Sequence, residues 1–478
     1  MNAKRNDTQG KGSTNNSPNF SPSSQNQQSG GDATKQPARR QRQSQGITPK
    51  DPQTESTTQL SMEYKSMLAT LEDGKREPPP PIHRLPVELL AEIFLMLRAS
   101  IVSDPGPYHD LSPKLERTIT RVCQTWSRVA YDTASLWTFL APQNPEGLDS
   151  YLERYLPLTK GCLLDLHVGG SSDSDDPLVD TASNEVLVCF ERLRPYATRW
   201  RALRLSARGR ELRQLKFVDT PNLEEVTAWI TGDGDIDSNL SLEFLGGAPR
   251  LRRLLFHAWT PLYGSTLRLP SNLRLTTLSL VLVSFDILSV APALQQCSKT
   301  LEELDVTVCL PPQADLPAVE PVAFPGLKRL KLYSMSCDFM LRITAPNLED
   351  LTFDFCDPES ANLAMAEFFW RVPSAATHLR RLEVQKQHPR SVNGLLQCLS
   401  LTTHLEKLSL GPIRAKAIAP LLSGLTCRED TPPLLPKLIF LGFTEYEEKE
   451  TLLDEIFKKS RATRRVVCGV EVSLLRSV

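Results

Sequence analysis

Apolar and polar residues alternate in a short unit, Leu-x-x-Leu-x-Leu, that recurs through most of the chain. Alternation over a few positions predicts a β-strand with one buried face. Successive units lie roughly 21 to 33 residues apart, a spacing typical of repeat architectures. Nine strong copies begin at Leu223, Leu251, Leu275, Leu301, Leu327, Leu348, Leu379, Leu405 and Leu438, and weaker copies begin at Leu163, Trp200 and Val467.

The stretches between these units carry helical patterns, for example over residues 361–372 and 392–399. One strand and one helix cannot bury their apolar sides alone, whereas stacked units bury a continuous core. The sequence therefore predicts an α/β fold over residues 142–478, a solenoid of repeats with a parallel, concave sheet.

A different apolar pattern occupies residues 82–97, IHRLPVELLAEIFLML. Pro86 can take the first helical position, where its missing N–H costs nothing, and Glu88 then falls in the first turn, where the helix dipole favours a carboxylate. Two adjacent apolar rows run along this predicted helix: Leu89, Ile93 and Leu97 in one, and Leu90 and Phe94 in the other. Either the rest of the chain or a partner must cover a helix that is apolar on more than one side.

Residues 1–55 are mainly Ser, Asn, Gln, Gly and Pro, and they are predicted to form a disordered polar tail because they bury too little apolar surface. Residues 56–81 are predicted to form a short helix and a proline-rich connector. The basic stretch ARRQRQ, residues 38–43, could act as a nuclear import signal, but a solvated basic segment is the favoured interpretation because such matches are common by chance.

Charge and composition exclude several function classes. Lys and Arg number 55 against 56 Asp and Glu, a balance that does not favour nucleic acid as a partner. The most apolar window, residues 273–294, is interrupted by Asp286 and Pro292, so no membrane span is expected. The chain lacks a secretory signal pattern, which predicts a cytoplasmic or nuclear protein with reduced thiols.

Motifs for catalysis and metal binding do not occur in the sequence. The ten cysteines form no C-x-x-C pair, and neither a nucleophile elbow nor a Walker motif is present. We therefore expect no cofactor, no metal and no enzymatic activity. A hydrolase within the repeats remains a possible reading, although no motif favours it.

The apolar helix and the block that follows it resemble an F-box. The family pattern is matched in order by Leu85-Pro86, Glu88-Leu89-Leu90, Ile93-Phe94, Val122-Cys123, Trp126 and Leu136-Trp137. The wider layout is similar to fungal, basidiomycete-like F-box proteins with irregular leucine-rich repeats. The resemblance implies a small helical F-box over residues 82–141, with Trp126 and Trp137 holding it together.

An F-box of this kind docks on a Skp-type adaptor, which joins it to a cullin-RING ubiquitin ligase. The resemblance thus implies a substrate-recognition subunit of an SCF-type ligase. The alternative is an F-box and leucine-rich-repeat interaction scaffold that acts outside ubiquitin transfer. Candidate adaptor contacts are Leu85, Pro86, Leu89, Leu90, Ile93 and Val122, each of which could instead be ordinary core.

The repeats would then bind a protein substrate on the concave face of the sheet. The residues between the inward-pointing positions line that face. A basic stripe containing Arg329 and Lys331 is expected between two acidic rows, a pattern that fits a protein or peptide better than a polyanion. Candidate substrate-binding residues are Trp229, His257, Asp305, Arg329, Lys331, Tyr333, Asp354 and Glu383; a merely solvated sheet face is the alternative.

Overall fold

The computed structural model describes residues 85–103, 111–142, 145–169, 185–230, 240–258, 266–284, 287–310, 320–385, 391–411, 415–426, 433–444, 458 and 473–477. The predicted tail (1–55), the predicted short helix and connector (56–81) and the basic stretch at residues 38–43 lie outside these residues.

A parallel sheet dominates the described part of the chain. Thirteen strands follow the order β1-β2-β3-β4-β6-β8-β9-β11-β13-β14-β15-β16-β17, and β5–β7 and β10–β12 form two short parallel ladders beside them. The predicted α/β class with a parallel sheet is confirmed. The strands are β1 (Phe139–Leu140), β2 (Leu164–Gly169), β3 (Trp200–Ala207), β4 (Glu225–Ile230), β5 (Leu240–Ser241), β6 (Arg253–Ala258), β7 (Leu267–Arg268), β8 (Thr277–Ser284), β9 (Glu303–Leu310), β10 (Val322–Ala323), β11 (Arg329–Ser334), β12 (Ile343–Thr344), β13 (Asp350–Asp354), β14 (Arg381–Val384), β15 (Lys407–Leu410), β16 (Phe440–Thr444) and β17 (Ser473–Ser477).

The apolar positions of the repeated unit stack in register across the sheet. Leu330 on β11, for example, lies opposite Leu304 on β9 and Leu351 on β13. Each side chain in the row to which these leucines belong is at most 4% exposed, so the predicted inward direction is confirmed. This row comprises Leu166, Leu203, Val226, Leu254, Leu278, Leu304, Leu330, Leu351, Leu382, Leu408 and Leu441.

A main-chain hydrogen bond pattern fixes this register. The Glu224 carbonyl accepts hydrogen bonds from the amides of Arg252 (3.0 Å) and Arg253 (3.1 Å). The same pairing of one carbonyl with two successive amides recurs at each following junction of the main sheet as far as β16. The accepting carbonyls after Glu224 are those of Arg252, Thr276, Glu302, Lys328, Glu349, Arg380 and Glu406.

Two predicted repeat ends differ from the structure. Leu163, the first residue of a weak copy, is 36% exposed, whereas the first leucines of strong copies, such as Leu223 and Leu301, are at most 1% exposed. The last weak copy, at Val467, lies outside the described residues, and the final strand is β17 instead. There Leu474 lies opposite Leu441.

Helices connect some of the successive strands. Those predicted at 361–372 and 392–399 are confirmed as α8 (Pro358–Arg371) and α10 (Val392–Leu401). Other crossings use short 3₁₀ segments, such as Glu243–Gly246 and Ser336–Arg342, so the connections are irregular. The helices are α1 (Val87–Ser103), α2 (Leu111–Ile119), α3 (Gln124–Asp132), α4 (Leu148–Tyr155), α5 (Glu185–Leu193), α6 (Gly209–Gln214), α7 (Ile287–Cys297), α8 (Pro358–Arg371), α9 (Pro373–His378), α10 (Val392–Leu401) and α11 (Ala415–Leu425).

The helices α1 to α4 share one hydrophobic core with the sheet. Phe94 on α1 and Trp137, which follows α3, belong to the same buried cluster as the leucines of the strands. The Trp137 indole N–H donates to the Ala130 carbonyl at 2.8 Å, and the rings of Phe94 and Trp126 lie 5.1 Å apart. The predicted boundary after residue 141 directly follows β1, which is hydrogen-bonded to β2.

Glu116 joins three of these helices. Its side chain accepts hydrogen bonds from the Tyr131 hydroxyl on α3 (2.8 Å), from the Tyr155 hydroxyl on α4 (2.7 Å) and from Arg154 Nη2 (2.6 Å). Burial alone would raise the pKa of Glu116, but the hydrogen bonds from Arg154, Tyr155 and Tyr131 outweigh it, and the pKa is lowered. The carboxylate form is therefore the one that stabilises this cluster.

We expect Glu116→Gln to lower the free energy of unfolding by about 1–3 kcal/mol at pH 7, because charge-assisted hydrogen bonds are lost. A lowered pKa gives stability that is fully present above the ordinary value of 4.5 and is lost as pH falls through the folded-state pKa. Urea unfolding of both proteins at a series of pH values should show the difference shrinking in acid. Glu153→Gln, at an exposed position of α4, is the control and should leave unfolding unchanged.

Gly247 lies where two chain segments touch. A Cβ at this position would be 2.1 Å from the Val218 carbonyl oxygen, and the Gly247 carbonyl accepts from the Thr220 amide at 2.9 Å. We expect Gly247→Ala to lower the free energy of unfolding by at least about 1–3 kcal/mol, because the backbone must move apart. Gly147→Ala should have little effect, since nothing lies within 4 Å of its added Cβ. Equal melting temperatures for the two variants would contradict this close contact.

Candidate protein-docking surfaces

An apolar surface is exposed along α1. Leu89 is 46% exposed, Ile93 42% and Met96 68%, and their i, i+4, i+7 spacing puts them on one side of the helix. Val87 on the same helix is 48% exposed, and Val122, just before α3, is 53% exposed. We call these five residues the α1 surface.

Most predicted adaptor contacts are accessible, and one is not. Pro86, Leu89, Ile93 and Val122 are exposed, and Leu85 is half-buried. Leu90 is 1% exposed because its row of the helix packs into the chain's own core, so its prediction as a contact residue is wrong. The sequence analysis also missed Val87 and Met96, although Met96 continues the spacing of Leu89 and Ile93.

Six of the predicted substrate-binding residues come together on four neighbouring strands. Arg329 lies opposite Glu303 on one side and Asp350 on the other, and Tyr333 lies opposite Asp354. This is the arrangement that the sequence predicts, a basic strand between two acidic ones. The six residues on β9, β11, β13 and β14 are Asp305, Arg329, Lys331, Tyr333, Asp354 and Glu383.

The two basic side chains of this group are engaged by their own neighbours. Arg329 Nη2 lies 2.7 Å from Glu303 Oε2, and Lys331 Nζ lies 3.3 Å from Glu303 Oε1 and 3.9 Å from Asp305 Oδ2. Burial alone would raise the pKa of Glu303, but the two cations outweigh it and lower the pKa. The basic stripe is thus largely neutralised within the sheet, and it presents little net positive charge to a partner.

Acidic side chains also lie toward the carboxyl ends of these strands, at Asp305, Asp354 and Glu383. Burial, followed by the charges of Asp305, Asp354 and Glu383, raises the pKa of Tyr333, and Lys331 opposes them only in part. Burial also raises the pKa of Asp305, and no described residue donates a hydrogen bond to its Oδ1 atom. Asp305, Asp354 and Glu383 thus all contribute to raising the pKa of the Tyr333 phenol, after burial.

Trp229 and His257 form a separate group on β4 and β6, with β8 between them and the acidic strands. The Trp229 ring centroid lies 5.7 Å from that of His257 and 6.1 Å from that of His167. Burial lowers the pKa of His257, and burial together with Arg204 lowers the pKa of His167 to about 4. Both imidazoles are therefore neutral at pH 7, and the group is an aromatic stack with little charge.

Two exposed apolar residues beside the acidic group were not predicted. Met335 is 46% exposed and Phe355 is 59% exposed, and they follow the ends of β11 and β13. No periodicity distinguishes them in the sequence, because they lie just beyond the alternating positions of their strands.

A pocket of about 250 Å³ opens where the end of α1 meets the first strands, and its lining includes Val102, Phe139, Asp165 and Arg201. Asp165 accepts from Arg201 Nη2 at 2.7 Å and from Arg98 Nη2 at 3.2 Å. Because the lining also contains Glu224 and Glu225, the basic and acidic side chains nearly balance. The network ties α1 to β2 and β3.

Within the described ranges, no group of three or more His, Cys, Asp or Glu side chains could hold a metal ion. Seven of the described cysteines are free thiols: Cys123, Cys162, Cys189, Cys297, Cys337, Cys356 and Cys398. A search of the same residues finds no helix with the length and apolar character needed to span a membrane.

Comparison with known proteins does not assign the chain to a family. No family model matches the sequence, and no curated protein matches it. Among solved structures, the chain is similar to a protein from Bacteroides fragilis at 14% sequence identity with a TM-score of 0.32. The match covers 53% of this chain and 66% of the Bacteroides protein.

Proposed function

We propose that the chain is a substrate-recognition subunit of an SCF-type ubiquitin ligase. In this proposal α1 to α3 form an F-box that docks on a Skp-type adaptor, and the strands form leucine-rich repeats whose concave face binds a protein substrate. The chain itself catalyses no reaction, and the ubiquitin-transferring activity comes from the cullin-RING ligase that the adaptor joins to it.

The α1 surface is the observation that carries the proposal. It exposes Leu89, Ile93 and Met96 on one side of α1, although Leu90 and Phe94 on the same helix are 1% exposed. Contiguous exposed apolar patches on a folded protein mark interaction sites, and burying them yields about 25 cal/mol per Å² before association costs are subtracted. The residues of this surface include Leu89, Ile93 and Val122 of the F-box resemblance.

The contacts between α1 and the sheet also support two separate roles, adaptor docking on α1 and substrate binding on the sheet. Asp165 on β2 holds both Arg98 of α1 and Arg201 of β3, and the helices share their core with the strands. A substrate on the concave face would therefore keep a fixed direction relative to the adaptor. Such rigidity suits a ligase subunit, because the ubiquitin donor must reach the bound substrate.

We expect Leu89→Asp combined with Ile93→Asp to abolish co-purification of the Skp-type adaptor, because binding would bury two unpaired charges. The protein should stay folded, since both side chains are more than 40% exposed. Leu363→Asp, at a 71% exposed position of α8, is the matched control and should leave adaptor capture unchanged. Pull-down followed by mass spectrometry measures both results. Undiminished adaptor capture by the folded double variant would refute the assignment of this surface.

The same pull-down distinguishes a ubiquitin-ligase subunit from the scaffold alternative. A ligase subunit should bring down cullin together with the adaptor, and both should disappear in the Leu89/Ile93 double variant. Adaptor without cullin, at wild-type capture levels, would instead indicate a scaffold acting outside ubiquitin transfer.

A further inference from the structure

Three successive turns lie at the edge of the sheet where β4, β6 and β8 begin. Asn272 Nδ2, in the turn before β8, donates to the Gly246 carbonyl at 2.6 Å. The Thr220 amide, before β4, donates to the Gly247 carbonyl at 2.9 Å, so each turn is bonded to the next. We call this surface the amino edge, and its segments are residues 215–225, 246–253 and 268–276.

An aromatic ring is exposed at the amino edge. Phe217 is 58% exposed. A Cβ added at Gly246 would lie 3.2 Å from Phe217 Cε2 and 3.9 Å from Pro270 Cβ, so the ring rests on the second turn beside the third. Arg194 Nη2 donates to the Phe217 carbonyl at 2.9 Å and holds the backbone there. Folding thus leaves more than half of a large aromatic side chain in water, on a fixed support.

Positive charge exceeds negative charge along the amino edge. From residue 246 to residue 285 the sequence has five arginines and neither Asp nor Glu. The three segments together contain six basic residues, all exposed, and three acidic residues. The basic residues are Lys216, Arg250, Arg252, Arg253, Arg268 and Arg274, and the acidic residues are Asp219, Glu224 and Glu225.

Neutral acceptors hold two of these arginines. Arg250 Nη1 donates to Asn222 Oδ1 at 3.1 Å, and Asn222 in turn donates to the Thr198 carbonyl at 2.8 Å. Arg252 Nη1 donates to the Arg274 carbonyl at 3.0 Å. Each guanidinium has five N–H donors, so one bond to a neutral oxygen orients the group and leaves both its charge and most of its donors available. We call Arg250, Arg252 and Arg274 the edge arginines.

Other cations at the beginnings of strands are paired with acidic side chains. Lys328 Nζ lies 3.1 Å from Glu302 Oε2, and Arg380 Nη1 lies 3.7 Å from Glu406 Oε1. On the amino edge itself, Arg253 is paired with Glu225 at 2.8 Å. No such ion pair joins the edge arginines to an acidic side chain of the described ranges. The amino edge is therefore the part of this border where positive charge is left over.

We propose that the amino edge binds an acidic segment of a partner protein that carries one large apolar side chain. Carboxylates of the segment pair with the edge arginines, whose planar guanidinium groups suit bidentate contacts with carboxylates. The apolar side chain packs on Phe217, since large exposed aromatics are favoured anchors of interfaces. A nucleic acid fits less well, because Asp219 and Glu224 interrupt the positive charge that a phosphate backbone follows.

This surface goes beyond the proposed function. It shares no residue with the α1 surface or with the predicted substrate-binding residues of the sheet. A partner on the amino edge could therefore be bound while both of those surfaces remain accessible.

Binding can be measured with the full-length chain alone and two fluorescein-labelled peptide pools. Each peptide has about ten residues, enough to cross three strand beginnings spaced about 4.8 Å apart. Both pools carry a central leucine among random neutral residues. One pool has glutamate at alternate positions, and the other has lysine there. We expect fluorescence anisotropy to show the acidic pool binding at least about tenfold more tightly, with a preference that weakens as salt is added.

Arg250→Gln combined with Arg274→Gln should lower affinity for the acidic pool by about tenfold or more. Lys328→Gln combined with Arg380→Gln is the matched control. It removes the same charge from the same border of the sheet, at positions already paired with acidic side chains, and it should leave affinity unchanged. The comparison separates this site from general attraction of acidic peptides to the cations of the chain.

Phe217→Ala tests the apolar contact. Affinity for the acidic pool should fall by about fivefold or more, because the anchor is lost. The melting temperature should change little, since the ring is mostly exposed. Trp370→Ala, at an 83% exposed position of α8, is the control and should bind the acidic pool as the wild type does.

Unchanged affinity of a folded Arg250/Arg274 double variant would overturn the proposal, and so would an equal loss in the Lys328/Arg380 control. If the double variant does not fold, Arg274→Gln alone decides, because its side chain makes no hydrogen bond to a described residue. A labelled oligonucleotide of about ten nucleotides that binds more tightly than the acidic pool, and does so through the edge arginines, would also overturn it. The assay contains no adaptor, so failure here leaves docking at the α1 surface unaffected.

Discussion

The register of the main sheet depends on one main-chain carbonyl in each repeat. The Glu224 carbonyl accepts from two successive amides of the next unit, and the same arrangement continues to the Glu406 carbonyl, which accepts from Ile439 and Phe440. A shift of one residue would turn every leucine of that strand toward the opposite face. Because each junction from β4 to β16 is fixed in the same way, the apolar rows remain continuous there although the crossing segments vary between α-helices and short 3₁₀ segments.

The fixed register gives the two faces of the sheet different properties. The inward row is closed to solvent from β2 to β16, so its composition is limited to Leu and Val. On the opposite face, charges are paired across strands, as in Arg253 with Glu225 and Arg329 with Glu303. Such half-exposed pairs contribute little to stability. Their main effect is to neutralise charge within the sheet, as Glu303 does for Arg329 and Lys331.

The sequence allows the apolar rows, the parallel sheet and two of the crossing helices to be predicted, because period-2 and 3.6-residue patterns are strong there. It also places Arg329 between Glu303 and Asp350, since register follows once the leucines align. The pattern cannot say which of two adjacent apolar rows on α1 the chain itself covers, so Leu90 was assigned to the wrong side. The exposed ring of Phe217 also escapes prediction, because it lies in a turn, outside the alternating positions of a strand. The two-residue strand β1 is too short to show alternation.

The main-chain link between units has an evolutionary consequence. Since a carbonyl and two amides are the same in every amino acid except proline, substitutions at the solvent side of a strand leave the link intact. Residues such as Arg381, Glu383 and Lys407 can therefore drift while the scaffold persists. Duplicated copies of such a gene could diverge widely in the side chains of this exposed face, while every copy keeps the same stacked strands.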